Sequence, residues 1–255
     1  MKATYLYCLI RRPEPPDLAG APAGVPGASP PRLLAVAEGL WLVAADVPLP
    51  DYGEAEIASR LEDLAWVSER ALGHEAVVEH LAGGEPESLV PMKLFTLFAS
   101  DERAVEHVAG ELPRLRRVLD RVAGREEWGV RVRRNPDAAR TEPAEDPVER
   151  PASGRDFLAR KQRQRDAARR APAEARAAAG EAFQALSARA SAARSREPEA
   201  GTTLVLDAAF LVPRAERGTF EDAVADAARQ LAQAGCELTL TGPWPPYNFV
   251  GEEKR

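Results

Sequence analysis

The sequence is poor in the residues from which most catalytic and metal chemistry is built. Two cysteines in 255 residues, Cys8 and Cys236, exclude a disulfide scaffold and a four-cysteine zinc site. There are three histidines. His74 and His80 lie six apart rather than at the i, i+4 spacing that sets two ligands on one helix face, and no HExxH pattern surrounds them or His107. The glycines between Gly20 and Gly27 are mixed with prolines, which have no N–H to offer a phosphate. No GxSxG, Walker or GxGxxG pattern occurs. No apolar run reaches the length of a membrane-spanning helix. The apolar stretch after Met1-Lys2 stops at Arg11-Arg12 without a clear small-residue cleavage site, so it reads as a first strand rather than a signal peptide, and the cytoplasm is the expected compartment.

What is present is enough for a core. Apolar residues make up 45%, an ordinary globular share, and the length suits one large domain or two ordinary ones. The formal charge of −6 is unevenly spread. From Arg150 to Arg196 there are 12 basic and 4 acidic residues, a net of +8, which leaves −14 on the remainder. A basic segment on an acidic body suits an acidic partner, or contact with its own body, better than general nucleic-acid binding.

The pattern of the first half predicts the order β, ββ, α, β, α. Thr4–Ile10 is apolar at every second position and between, as in a central strand covered on both faces. Residues 11–31 hold seven prolines and form a loop. Leu33–Ala37 and Leu40–Ala45 flank Glu38-Gly39, a hairpin turn. Ile57, Leu61, Leu64, Ser68 and Ala71/Leu72 mark the apolar stripe of one helix from Glu54 to about Leu81, ended by Gly83-Gly84. Leu89–Phe98 reads as a buried strand running into a turn. Asp101 is the expected cap of the next helix, with Ser100 as its rival, and Pro113 should kink that helix before Gly124 closes it.

The second half predicts strand, long helix, strand, helix, strand, a ferredoxin-like sheet short of one strand. Glu127–Arg133 alternates, with Trp128, Val130 and Val132 inward. Asn135–Pro151 is a loop. From about Gly154 to Arg196 the chain is rich in Ala, Arg, Gln and Glu, all good helix formers, with Phe157, Leu158, Phe183 and Leu186 as its large anchors and Pro172 as a break or kink. Thr203–Val212, a helix through Phe220, Val224 and Leu231, and a strand from Cys236 follow. The expectation is an α+β chain of two domains, 1–124 and 125–255, the second carrying the long Arg/Ala-rich helix and a Pro/aromatic tail.

Candidate functional residues are few. Cys8 and Cys236 fall inside strands and read as inert apolar residues. Glu126-Glu127 and Glu252-Glu253 read as solvated charge, and Asp207 faces solvent or bonds to a neighbouring strand. Catalytic, cofactor-binding and metal residues are therefore expected to be absent. Arg163, Arg165, Arg169 and Arg170 form the expected partner-binding face, with Leu94, Phe95 and Phe98 as the other candidate contact surface. Trp244, Tyr247 and Phe249, stiffened by Pro243, Pro245 and Pro246, are expected to pack on the second domain.

Four segments resemble the gas vesicle protein F/L family (GvpF/GvpL): TYLYCLI at 4–10, LVPMKLFTLFAS at 89–100, EEWGVRV at 126–132 with GRDFLARK at 154–161, and LTGPWPPYNFV at 240–250. Met92-Lys93-Leu94 departs from the usual basic-phenylalanine-glycine style at that point. The resemblance implies two α+β domains, the second a modified ferredoxin-like fold. It implies a non-enzymatic protein of gas vesicle assembly, located in the cytoplasm and at the gas vesicle. Its implied partners are the small hydrophobic shell subunit and other accessory proteins, with no cofactor and no nucleic acid. The alternative from the residues alone is a nucleic-acid-binding regulator that uses the Arg-rich helix.

Overall fold

A computed structural model describes residues 1–84, 86–135, 154–199 and 201–251. The chain divides into two compact units, Met1–Glu126 with Trp244–Arg255, and Glu127–Pro243.

In the first unit, strand β1 (Lys2–Arg11) is buried along almost its whole length, as its two-sided apolar pattern requires. It pairs antiparallel with β3 (Leu40–Pro48), which forms a hairpin with β2 (Arg32–Ala37) around Gly39 at φ +67. A bulge at Tyr7, between Leu6 and Cys8, shifts the phase of β1, so Tyr5 before it, Tyr7 within it and Cys8 and Ile10 after it all join one core. The other edge of β1 is covered in two pieces. β4 (Ser88–Pro91) pairs with Cys8–Arg11 and β5 (Leu97–Phe98) with Thr4–Tyr5. The single strand expected over Leu89–Phe98 is thus interrupted. Residues 92–96 swing out and back, held by Met92 N donating to the Tyr7 carbonyl (2.8 Å), Leu6 N to that of Thr96 (3.0 Å) and the Thr96 hydroxyl to that of Lys93 (2.7 Å).

The expected helix from Glu54 to Leu81 is also divided. A short turn α1 (Leu49–Tyr52) leads to α2 (Glu54–Arg60), and α3 (Leu64–Gly83) starts afresh because the Asp63 carboxylate accepts from Trp66 N at 3.1 Å. The restart changes the phase. Trp66, Arg70, His74, Val77, Val78 and Leu81 face inward, while Leu61, Leu64 and Leu72, taken from the sequence as the inward stripe, are 55%, 78% and 67% exposed. With Ser68 exposed as well, most of the predicted core face of this segment is solvent-facing, because periodicity carried across a capped break counts turns that are not there.

The Pro/Gly-rich loop packs under α3. Val25 is buried, Val25 N donates to the Tyr7 hydroxyl (3.1 Å), and the Tyr52 hydroxyl donates to the Pro26 carbonyl (2.7 Å). Gly73 permits this approach, since a Cβ there would lie 2.5 Å from the Gly24 carbonyl oxygen. On the opposite face of the sheet lie α4 (Asp101–Gly110) and α5 (Leu112–Val122). Ser100, not Asp101, caps α4 by accepting from Arg103 N (3.4 Å). Asp101 is engaged elsewhere, by the Thr4 hydroxyl (2.7 Å) and by Arg32. Pro113 stands in the first turn of α5, so its missing N–H breaks the helix in two rather than bending it.

The tail belongs to the first unit, a correction to its expected place on the second domain. Phe249 is buried, Tyr247 packs against the core of Tyr5, Tyr7 and Tyr52, and Arg121 Nη1 donates to the Phe249 carbonyl (3.5 Å). The tail prolines stiffen the segment, but only the tertiary fold decides where β9 delivers it.

The second unit is one sheet of order β7-β8-β6-β9, built from β6 (Arg125–Arg134), β7 (Ala192–Arg196), β8 (Leu204–Pro213) and β9 (Cys236–Trp244). Helices α6 (Gly154–Ser187) and α7 (Arg217–Gln233) share one core with Trp128, Val130, Val132, Leu206, Ala208, Phe210 and Val212. Strand β7 was expected to be helix. Its residues Ala193 to Arg196 pair antiparallel with Phe210 to Asp207, so sheet formation overrides their modest local preference. α6 continues through Pro172 and anchors itself with Ala175, Ala179, Ala182 and Leu186. Leu158, expected to be an anchor, is 64% exposed. Glu126 and Glu127 are buried rather than solvated, and Asp207 accepts from Arg131 across the strands (3.2 Å). Glu252-Glu253 and, but for Asn135, the loop expected over Asn135–Pro151 lie outside the described residues. No helix among them is long and apolar enough to cross a membrane.

Candidate functional site

An open groove of about 850 Å³ lies in the first unit. Its floor is the start of β1, Met1 to Ala3, with Leu97 and Phe98 of β5 and the following Ala99. One wall is Leu49 and Tyr52 of α1 with Ile57 and Ala58 of α2 and the adjoining Leu61. Phe95 closes the other. Among the described lining residues the charged side chains are those of Lys2 and Glu54, and Lys2 Nζ lies 3.4 Å from Asp46.

Phe95 reaches the groove at a backbone cost. It has φ +63, the one non-glycine residue with positive φ among those described, and a bulky side chain rarely adopts that conformation. The excursion of residues 92–96 imposes it, and the ring is held in return by stacking on Trp66 at 5.4 Å and 25°. The Arg70 guanidinium lies 3.9 Å from the Trp66 ring centre and 5.4 Å from that of Tyr52, and Arg70 Nη1 donates to the Trp66 carbonyl (3.3 Å) and to Glu69 (3.2 Å). A chain of contacts thus joins Phe95 to Tyr52, opposite walls of the groove.

Behind the wall the Tyr5 hydroxyl and His74 Nδ1 share a hydrogen bond of 2.8 Å. Burial pushes the Tyr5 hydroxyl well above the usual phenol range, raises that of Tyr7, and takes Tyr52 up to about 12. Burial lowers His74 to about 4. At neutral pH the tyrosines keep their protons and the imidazole stays neutral. None of the four is poised to exchange a proton, which general acid–base catalysis near pH 7 requires.

A smaller polar hollow, about 220 Å³, contains Arg32 between Asp46 (2.6 Å) and Asp101 (2.5 Å). The Arg32 bond holds Asp101 below the usual carboxylate range, so this acid is a paired ion rather than a base. Cys8 and Cys236 are both buried and free, with thiols raised by burial, as inert cysteines are. Among the described residues no three His, Cys, Asp or Glu side chains are grouped to hold a metal.

The candidates named from the sequence separate. Phe95 and Phe98 line the groove; Leu94, between them and half-buried, does not. Arg163, Arg165, Arg169 and Arg170 are exposed on α6 in the other unit. His74 is buried, whereas His80 and His107 are exposed. Sequence reasoning missed Tyr52, Ile57, Leu61 and Leu97 as groove residues. The signal that could have found two of them was Asp63: read as a helix cap, it frees Ile57 and Leu61 from the inward stripe.

The family described as "Gas vesicle synthesis protein GvpL/GvpF" matches residues 3–251. A curated relative, gas vesicle protein L of Streptomyces sp. (strain CB03234), is 35% identical over 254 residues, covering 97% of this chain and 92% of that one. Two crystal structures share the fold. GvpF from Anabaena sp. PCC7120 superposes with a TM-score of 0.71 at 17% identity, covering 99% of this chain and 98% of that one. GvpF from Microcystis aeruginosa gives 0.67 at 15% identity, covering 98% and 99%.

Proposed function

Given that the chain belongs to the GvpL/GvpF family of gas vesicle synthesis proteins, we propose that it is a non-enzymatic accessory protein of gas vesicle assembly, acting in the cytoplasm and at the gas vesicle. Its task in this reading is to hold the small hydrophobic shell subunit, and to meet other accessory proteins, before the subunit joins the shell. The observation that carries the reading is the apolar groove, along whose wall Leu61 is exposed and Ile57 half-buried. An apolar patch of this kind on a folded surface marks a place where another apolar surface is received. Burial raises the Tyr52 hydroxyl and lowers the His74 imidazole, so these two groups keep one protonation state near neutral pH.

The test is capture. Tagged chain produced together with the shell subunit should recover that subunit, and Leu61→Asp should reduce the yield several-fold without changing the melting temperature. Equal recovery by both proteins, or none by the wild type, would remove the groove from this function.

A further inference from the structure

We propose that the groove receives one amphipathic helix whose flanks are basic. The inference rests on the assembly reading above and names the form and charge of the segment that docks there.

Three observations point to a helix. The exposed wall is largely helical and thinly anchored: α2 has no fully buried residue, and Ile57 stands on it four residues before Leu61, which caps its C-terminal end. A second helix laid against that ridge would supply the apolar cover that α2 lacks. The volume, about 850 Å³, suits several apolar side chains at i, i+3, i+4 spacing rather than one. A small polar ligand has little to orient it, since the Tyr52 hydroxyl is spent on the Pro26 carbonyl and Lys2 is paired with Asp46, which leaves the Glu54 carboxylate at the edge of an otherwise apolar lining.

Charge selects which helix. Residues 49–63, the segment that forms this wall, contain Asp51, Glu54, Glu56, Glu62 and Asp63 against Arg60 alone, a net of −4. Glu56 and Arg60 are paired with one another (2.6 Å), and the Asp63 carboxylate caps α3, which leaves Asp51, Glu54 and Glu62 exposed beside the apolar lining. A helix with Lys or Arg on its flanks places cations against this rim; one with Asp or Glu there is repelled.

The experiment uses the full chain and three labelled 14-residue peptides, read by fluorescence anisotropy. All three carry leucines, one set at i, i+3, i+4 and i+7 with lysine flanks, one identical but with glutamate flanks, and one a scramble of the first. The lysine-flanked peptide should bind at least about tenfold more tightly than the glutamate-flanked one at low salt, and the gap should close as salt rises. Leu61→Asp should abolish binding, and Glu54→Gln with Glu62→Gln should shrink the preference. Leu72→Asp, on exposed α3 surface outside the groove, should change nothing, and all variants should keep the wild-type melting temperature. Equal affinity for lysine and glutamate flanks, equal binding of the scramble, or full binding by Leu61→Asp would overturn the proposal. So would salt-sensitive self-association in sedimentation that Leu61→Asp abolishes, since the occupant would then be a second copy. Lysine-peptide binding without shell-subunit capture would leave this inference standing and the assembly reading refuted; capture without charge preference would do the reverse.

Discussion

The Phe95 ring stacks on Trp66 at 5.4 Å while its own backbone sits at φ +63. A costly backbone conformation is thus tied to the ring contact that shapes one wall of the groove. Glycine and alanine separate the two effects. Phe95→Ala should lose the ring and keep the backbone cost, destabilising by about 1–3 kcal/mol. Phe95→Gly loses the same ring but relieves the backbone, and should be the more stable variant by about 1 kcal/mol in urea unfolding. The opposite order would show that φ at this position is unstrained.

His74 makes stability pH-dependent. Its folded pKa of about 4 lies below the ordinary histidine value, so the unfolded chain binds the extra proton as pH falls through the ordinary histidine range. The stability present above about pH 6.5 should decline towards pH 4, by on the order of 3 kcal/mol in all. His74→Gln cannot take up that proton. Its melting temperature should fall less steeply over the same window, measured as the difference from wild type at each pH.

Gly73 sets the distance between α3 and the proline-rich loop. A methyl group there meets the Gly24 backbone at 2.5 Å, and neither helix nor loop backbone yields cheaply. Gly73→Ala should cost about 1–3 kcal/mol despite the better helix propensity of alanine. A stabilised variant would mean that the loop is free to move away.

Removing the tail after Trp244 keeps β9 but discards Tyr247 and the buried Phe249. Hydrogen exchange should rise across residues 1–126, with a loss of about 3–5 kcal/mol there, and stay near wild type across residues 127–243. Loosening of the second unit instead would return the tail to the domain assigned to it from the sequence.

The exposed arginines of α6 should matter for partners and not for folding. Replacing Arg163, Arg165, Arg169 and Arg170 by Gln should leave the melting temperature nearly unchanged, since exposed charges contribute about 0–1 kcal/mol each. Affinity for an acidic accessory protein should drop and lose its salt dependence. A large fall in melting temperature would assign these side chains to the fold.

Sequence alone determined much of this protein. The apolar periodicity of Thr4–Ile10, Trp128–Val132 and Leu206–Val212 determined three central strands, because burying alternate or successive residues is a local demand that the fold then meets. The Glu38-Gly39 turn, the glycine ends of helices and the placing of both cysteines inside strands were equally legible, as was the family, since its motifs lie along nearly the whole chain. Tertiary structure decided the rest. β7 is a strand because β8 offers it a ladder. Leu89–Phe98 is two strands because residues 92–96 loop out. Leu64 and Leu72 face outward because Asp63 restarts the helix, and Leu61, before that break, lines the groove. The groove exists only where β1, α1, α2, β5 and Phe95 meet, residues separated by up to 98 positions along the chain. No local pattern encodes such a meeting, because the energy that forms it comes from packing between segments and not within them.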